Sequence, residues 1–423
     1  MQTKRTISRR SGPSHAFLLL CSFIVLLVGC GATGEASGNS AAASTVAIAS
    51  PTVPTATAPV VDLSATVAAQ QQQKDQAKVQ QLMHNMTLDE KLGQMIMVEY
   101  IGTQYADTEL PAMITQDHVG GFLFQQANGN FNAPINTVAS ANAFISQAQK
   151  DANVPLLVAV DQEGGLVNKL SEFAGPQPSA AALAATNDPN AAFNQGAKTA
   201  QLMKSLGINV NLAPVVDVGP QTNLLESRQF SDNPQTVTTY AGAFLNGLQQ
   251  GGIAGCLKHF PGLGSLPAGD DPHQEVPRVT SSLSQLQNND LFPYTHLIQQ
   301  NNPAMIMTTD VFTNALDPNN PAELSQKVVT DTLRKQMGFN GVIITDGIYM
   351  LERANYMPMV QAATQAIIAG NDIVEGPYRA QDVASLITSL NQAIQNGQLS
   401  TQQVDQSVQR ILAMKVQYGM IQA

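Results

Sequence analysis

Residues 255–277 read GCLKHFPGLGSLPAGDDPHQEVP. The stretch opens as a short apolar run and breaks into a loop dense in Gly and Pro. Lys258 and His259 stand at the break, and Asp270, Asp271, His273 and Glu275 follow within the loop. Only 12% of the chain is charged, so ionisable groups have been concentrated where a strand should end. In parallel α/β proteins, ligands and chemistry gather at the carboxyl ends of strands. A solvated loop is polar as well, so the reading depends on whether other strands end in the same way.

Short apolar runs lie at 96–99, 121–124, 156–161, 210–217, 255–259, 304–310, 341–346 and 372–375. Stretches of helical spacing at 135–151, 191–206, 236–250, 283–301 and 324–337 separate most of them. Asp161, Asp217, Asp310 and Asp346 each close an apolar run, as does Lys258-His259. One polar residue after a strand is only a turn. The same event at strand after strand describes the mouth of a barrel. Eight strands alternating with helices point to an α/β fold, a (β/α)8 barrel of the TIM type, with an open doubly wound sheet as the alternative. Upstream, the helix expected from residue 70 to 83 leads to Thr87 and Glu90, which have capping-box spacing ahead of an apolar face of Leu88, Leu92, Met95 and Ile96. Residues 382–422 read as helices packed outside the barrel. The catalytic-type domain is therefore assigned to 73–423, with no second domain of ordinary size left over.

The chain has 423 residues and a net charge of −10, which argues against a nucleic-acid partner or a basic membrane-binding surface. Trp is absent, so a carbohydrate module built on Trp platforms is excluded, while a sugar site lined by polar groups is not. Lys4, Arg5, Arg9 and Arg10 precede an apolar segment at 16–28 that is too short for a comfortable membrane span. That segment ends in Leu27-Val28-Gly29-Cys30, which resembles a bacterial lipobox. Residues 1–30 are thus expected to be a lipoprotein signal. A lipidated Cys30 would hold the protein outside the cytoplasmic membrane, the anchor being its membrane contact. Residues 31–72, mostly Ala, Ser, Thr, Val, Pro and Gln, cannot bury a core and are expected as a disordered linker. Beyond Cys21 and Cys30 only Cys256 remains, in an apolar run, so an inert core thiol and no internal disulfide are expected. No HExxH, paired Cys or EF-hand loop is present, and no metal or other cofactor is expected.

MTLDEKLGQM (86–95), VDQEGG (160–165), NLAPVVDV (211–218), SRQFSDNP (227–234), KHFPG (258–262), Asp-Pro-His (271–273) and GVIITD (341–346) follow one another along the chain. In this order and spacing they resemble the family 3 glycoside hydrolases, and among these the single-domain bacterial β-N-acetylglucosaminidases, from about residue 80 onward. The resemblance implies a retaining exo-glycosidase acting through a covalent glycosyl-enzyme. It would release terminal β-linked N-acetylglucosamine from peptidoglycan fragments (muropeptides) or chitooligosaccharides, and is expected as a monomer. By the same resemblance Asp346 would be the nucleophile, and His273, oriented by Asp271, the acid/base. An ionised carboxylate at a strand end suits attack on an anomeric carbon, and an imidazole beside a carboxylate suits proton transfer near neutral pH. Glu275 is the rival acid. Asp161, Arg228, Lys258 and His259 match positions that grip sugar hydroxyls, with Glu163 a further candidate; structural salt bridges are the alternative for each.

The chain also departs from the family pattern. Leu166 stands where Arg often follows DQEGG. Lys169 replaces a common substrate-binding Arg and loses its planar fork. Leu263-Gly264-Ser265 follows KHFPG where a second His and an Asp are frequent, and Gly347 follows Asp346 where an acidic or small residue is usual. These changes spare both catalytic candidates and bear on specificity. A phosphorylase using phosphate in place of water, a β-glucosidase, and a catalytically silent sugar-binding lipoprotein stand as alternatives.

Overall fold

The computed structural model describes residues 63–220, 225–267 and 269–422. The signal segment, Cys30 and most of the expected linker lie outside the described residues. Eight parallel strands form a closed barrel: β1 (Ile96–Val98), β2 (Gly121–Phe124), β3 (Leu157–Val160), β4 (Val210–Asn211), β5 (Ala254–Phe260), β6 (Met305–Thr308), β7 (Val342–Gly347) and β8 (Ile373–Glu375). Each pairs with its sequence neighbour, and β8 returns to β1. Runs such as GFLF, LVAV and MIMT are buried throughout, because one sheet face meets the barrel interior and the other meets helices. The TIM-type barrel expected from the alternation is therefore the fold.

Helix boundaries follow from local chemistry. Thr87 and Glu90 form the expected capping box before the helix Leu88–Gln94. Asp188 and Asn233 cap helices that start at Pro189 and Pro234, where a missing N–H costs nothing. The helix Pro189–Leu206 ends on Gly207 at φ +87°, a left-handed cap suited to glycine.

Several boundaries differ from expectation. The first helix runs Leu63–Asn85, starting earlier than residue 70 and within the span assigned to the linker. The strand expected over 210–217 forms a ladder only at Val210–Asn211. Pro214 has no N–H to give, and beyond Asn211 the contact with β5 is irregular: the Ala213 and Pro214 carbonyls accept from Cys256 N and Lys258 N ahead of the Val215–Lys258 bridge. The helix expected over 283–301 is two helices, Leu283–Asn288 and Leu291–Asn301. The break sinks Asp290 into the core, where its carboxylate accepts from the Ser265 hydroxyl at 2.8 and 3.0 Å. The segment expected over 324–337 is wound as a π-helix at Lys327–Gln336.

A small three-stranded sheet at the barrel mouth joins Arg278–Val279, Phe312–Thr313 and Asp317–Pro321. The Arg278 guanidinium lies 3.9 Å from the centre of the Phe312 ring and donates to Asn314 Oδ1 and the Pro318 carbonyl. The loop that begins at His259 is thereby fastened to the loop after β6.

At the opposite end, the last long helix, Thr401–Gln417, is pinned by Lys415. Its ammonium is fully buried and donates to Gln94 Oε1 (2.8 Å) and the Gly120 carbonyl (3.0 Å), with no carboxylate beside it. Burial pushes Lys415 down to about 7. In the unfolded chain a lysine titrates at about 10.4, so between these values the unfolded state holds the extra proton. Stability is therefore expected to rise with pH above about 7. Denaturation midpoints of the wild type and Lys415→Met across pH 7 to 10 check this: the substitution should flatten the rise.

Candidate active site

Just beyond β3 a short hairpin, Gln162–Gly164 against Val167–Asn168, turns the chain back across the barrel mouth. Gln162 locks it, donating to Asn168 Oδ1 at 2.8 Å while its own amide oxygen accepts from Leu170 N at 2.9 Å. The hairpin holds Glu163 in the interior. Arg228 grips that carboxylate with two parallel bonds, Nε to Oε2 at 2.8 Å and Nη2 to Oε1 at 2.9 Å. Lys258 Nζ lies 2.9 Å from the same Oε1 and is bonded to Asp161 as well. Burial alone would raise the Glu163 pKa, but the Arg228 and Lys258 charges overcome it and hold the carboxyl well below the usual range. Burial would likewise lower the two cations, and their carboxylate partners keep both fully charged.

His259 is fixed from behind. Its Nδ1 is 2.7 Å from Asp217 Oδ2, and Asp217 Oδ1 accepts from Leu263 N at 2.7 Å. A carboxylate only accepts, so Nδ1 carries the proton. Nε2 is left facing the Arg228 guanidinium at 3.3 Å, where it can only accept. Gly264 packs backbone against backbone here: a Cβ on it would lie 2.1 Å from the Val218 carbonyl oxygen. The segments after Asp217 and after His259 are thus held together at the root of the Gly/Pro loop.

Asp346 sits at the end of β7. Its Oδ2 accepts from the Thr309 hydroxyl at 3.0 Å and its Oδ1 from the Gly347 amide at 2.9 Å. Beneath it lie Asp310 and Glu323, both fully buried. Burial, followed by the charge of Asp346, pushes Asp310 far up; burial, then Asp310 and Asp346, does the same to Glu323. His273 comes from the loop, with a side chain 55% exposed. Its Nδ1 is 2.8 Å from Asp271 Oδ1, which also accepts from the His273 amide at 3.0 Å. The other Asp271 oxygen accepts from Gln274. The turn at residues 271–274 thus orients the ring.

One open cleft gathers these groups. Asp161, Lys169, Arg228, Lys258, His259, His273 and Asp346, all named from the sequence, line it together. Asp271 lies behind His273 and acts through it. Glu275 is exposed and does not line the cleft. Four lining or supporting residues were not singled out as site residues: Glu99, Glu375, Asp217 and Tyr349. Glu99, Asp217 and Glu375 each close one of the expected apolar runs, the signal that marked Asp161 and Asp346. Tyr349 had no such signal. Among the described residues no group of three or more His, Cys, Asp or Glu could hold a metal ion.

Residues 87–414 match the model of the glycosyl hydrolase family 3 N terminal domain. A β-hexosaminidase A from Pseudoalteromonas piscicida is 30% identical over 370 residues, covering 78% of this chain and 61% of that protein. The β-hexosaminidase LpqI of Mycobacterium tuberculosis is 32% identical over 335 residues, 77% of this chain and 82% of that one. The solved structure of a glycoside hydrolase family 3 β-N-acetylglucosaminidase from a Paenibacillus species superposes with a TM-score of 0.74 at 30% identity, over 79% of this chain and 63% of that one. The chain thus spans less than two thirds of the Pseudoalteromonas and Paenibacillus proteins. With a family match running from the first capping box to the last helix, and a barrel mouth built from the motifs that match, the chain belongs to glycosyl hydrolase family 3.

Proposed function

We propose that the chain hydrolyses terminal β-linked N-acetylglucosaminides, as found in peptidoglycan fragments and chitooligosaccharides, with retention of configuration. The observation that carries this reading is the single cleft shared by Asp346, His273 and the charged clamp of Asp161, Lys258, Arg228 and His259. The names borne by relatives at 30–32% identity support the substrate class. The clamp offers acceptors and donors to the hydroxyls of one terminal sugar. Asp346 attacks the anomeric carbon as the bond to the leaving oxygen breaks, and His273 Nε2 gives that oxygen a proton. His273 Nδ1 already donates to Asp271, so Nε2 is the site of exchange. In the second half-reaction His273 takes a proton from water, the hydroxide adds to the anomeric carbon, and Asp346 leaves as carboxylate.

Asp346→Asn should abolish turnover while leaving sugar binding near that of the wild type, and a slow fluorosugar substrate should label the peptide carrying Asp346. Labelling on Asp310 or Asp217 would move the nucleophile to another strand. His273→Gly should slow hydrolysis by about 100- to 10,000-fold, show a burst with an activated aryl glycoside, and regain rate with azide. Glu275→Gly should show neither burst nor rescue; the reverse pattern would transfer the acid/base role to Glu275.

Glu163→Gln removes one partner from a buried charge cluster and leaves Arg228 and Lys258 under-compensated. It should lower stability by about 3–5 kcal/mol in urea denaturation and weaken sugar binding as well.

We further infer that Cys30 is lipidated and that the segment after it tethers the barrel outside the cytoplasmic membrane. The lipobox-like run supports this. Among the described residues no helix is long and apolar enough to cross a membrane. Cys30→Ser should release active protein into the soluble fraction; a variant that still sediments as an acylated membrane protein would count against the anchor.

A further inference from the structure

Glu375 ends β8, between the nucleophile strand and β1. It pairs in register with Gly347, the residue after Asp346, and on its other side with Met97, two residues before Glu99. Both glutamates line the cleft and both are almost fully buried, Glu375 at 3% exposure and Glu99 at 5%. Glu375 Oε1 has no hydrogen-bond partner. Glu99 Oε2 accepts from Asn128 at 2.7 Å, while its Oε1 has none, although the Gln125 amide and the Tyr349 hydroxyl lie close to the carboxyl. Among the described residues neither glutamate is in an ion pair. The buried cations of the cleft are spent elsewhere, Arg228 on Glu163 and Lys258 on Asp161 and Glu163. Burial, then the neighbouring charges of Glu99, Asp161 and Asp346, pushes Glu375 far up, and burial is the main cause for Glu99 as well. A buried carboxyl without a donor is costly to leave unmatched. One oxygen of each lacks a donor, and the charge of Lys258 near Glu375 does not outweigh its burial.

We propose that Glu375, with Glu99 beside it, determines specificity by binding the free ammonium of a non-acetylated 2-amino sugar, so that the cleft accepts β-glucosaminides as well as their acetylated counterparts. This rests on the reading of Asp346 as nucleophile. Asp346 must approach C1 of the sugar, and Glu375 pairs in register with the residue after it; we place the substituent on C2, one bond from C1, against Glu375. An acetamido group at C2 offers one N–H and no charge, and a hydroxyl one O–H and no charge. An ammonium brings three donors and a positive charge, which favours the ionised form of the carboxyl it pairs with.

The test is calorimetric binding of glucosamine and of N-acetylglucosamine at pH 6 to the wild type and to Glu375→Gln, which keeps the shape and an acceptor but cannot ionise. The wild type should bind glucosamine, and Glu375→Gln should weaken that binding at least tenfold more than it weakens binding of N-acetylglucosamine. Equal losses for the two sugars, or no binding of glucosamine by the wild type, would overturn the proposal. Thermal unfolding reports whether the variant folds; if it does not, Glu99→Gln is put to the same comparison with the same criterion. Turnover of an aryl β-N-acetylglucosaminide by the wild type is read alongside. Its absence would defeat the glycosidase reading, whereas turnover without the sugar-selective loss would defeat this proposal alone.

Discussion

The carboxylate of Glu163 is the constraint on which the cleft depends. Two cations from distant parts of the chain converge on it, Arg228 from the segment after β4 and Lys258 from β5. Neither could stay charged at that depth alone, and neither could the carboxylate. The cluster is charged because it is complete. Arg228 then sets the face of His259 through Nε2, and Lys258 carries the arrangement on to Asp161. Removing the anion would disturb four side chains, Arg228, Lys258, His259 and Asp161, from three separate segments.

The barrel makes such convergence possible. Parallel strands present their carboxyl ends on one rim, so residues more than a hundred positions apart in sequence, such as Asp161 and Asp346, face one space. The backbone of the rim is tied down independently of the charges. Asp217 holds both His259 and Leu263, and Gly264 allows two loops to touch. Polar groups placed on so stiff a frame need little reorganisation when a ligand arrives.

Much of this was legible in the sequence. The alternation of apolar runs and helical stretches located all eight strands, and the habit of ending those runs in a charged residue located most of the cleft. What was hard to read has physical causes. Pro214 shortened β4 by withholding a donor, although the run looked continuous. The break at Asn289–Asp290 was hidden because the helical spacing continues on both sides. Its purpose lies in a contact with Ser265 far away in sequence. Glu163 was underrated because a carboxylate next to Asp161 looks redundant until its two cations are seen. Glu99 and Glu375 passed as ordinary strand ends, since an oxygen left without a donor is a property of three dimensions.

The loop bearing His273 is fastened at both ends, by Asp217 on Leu263 at its root and by Arg278 on Phe312 and Asn314 at its exit. Between these fastenings His273 is held by its own turn, through Asp271. Such a leash separates two kinds of heritable change. Substitutions between Ser265 and Val276 can alter what approaches the cleft from outside. The charged cluster of Asp161, Glu163, Arg228 and Lys258 is held by bonds among its own members. The loop can therefore change in sequence while that cluster keeps its form.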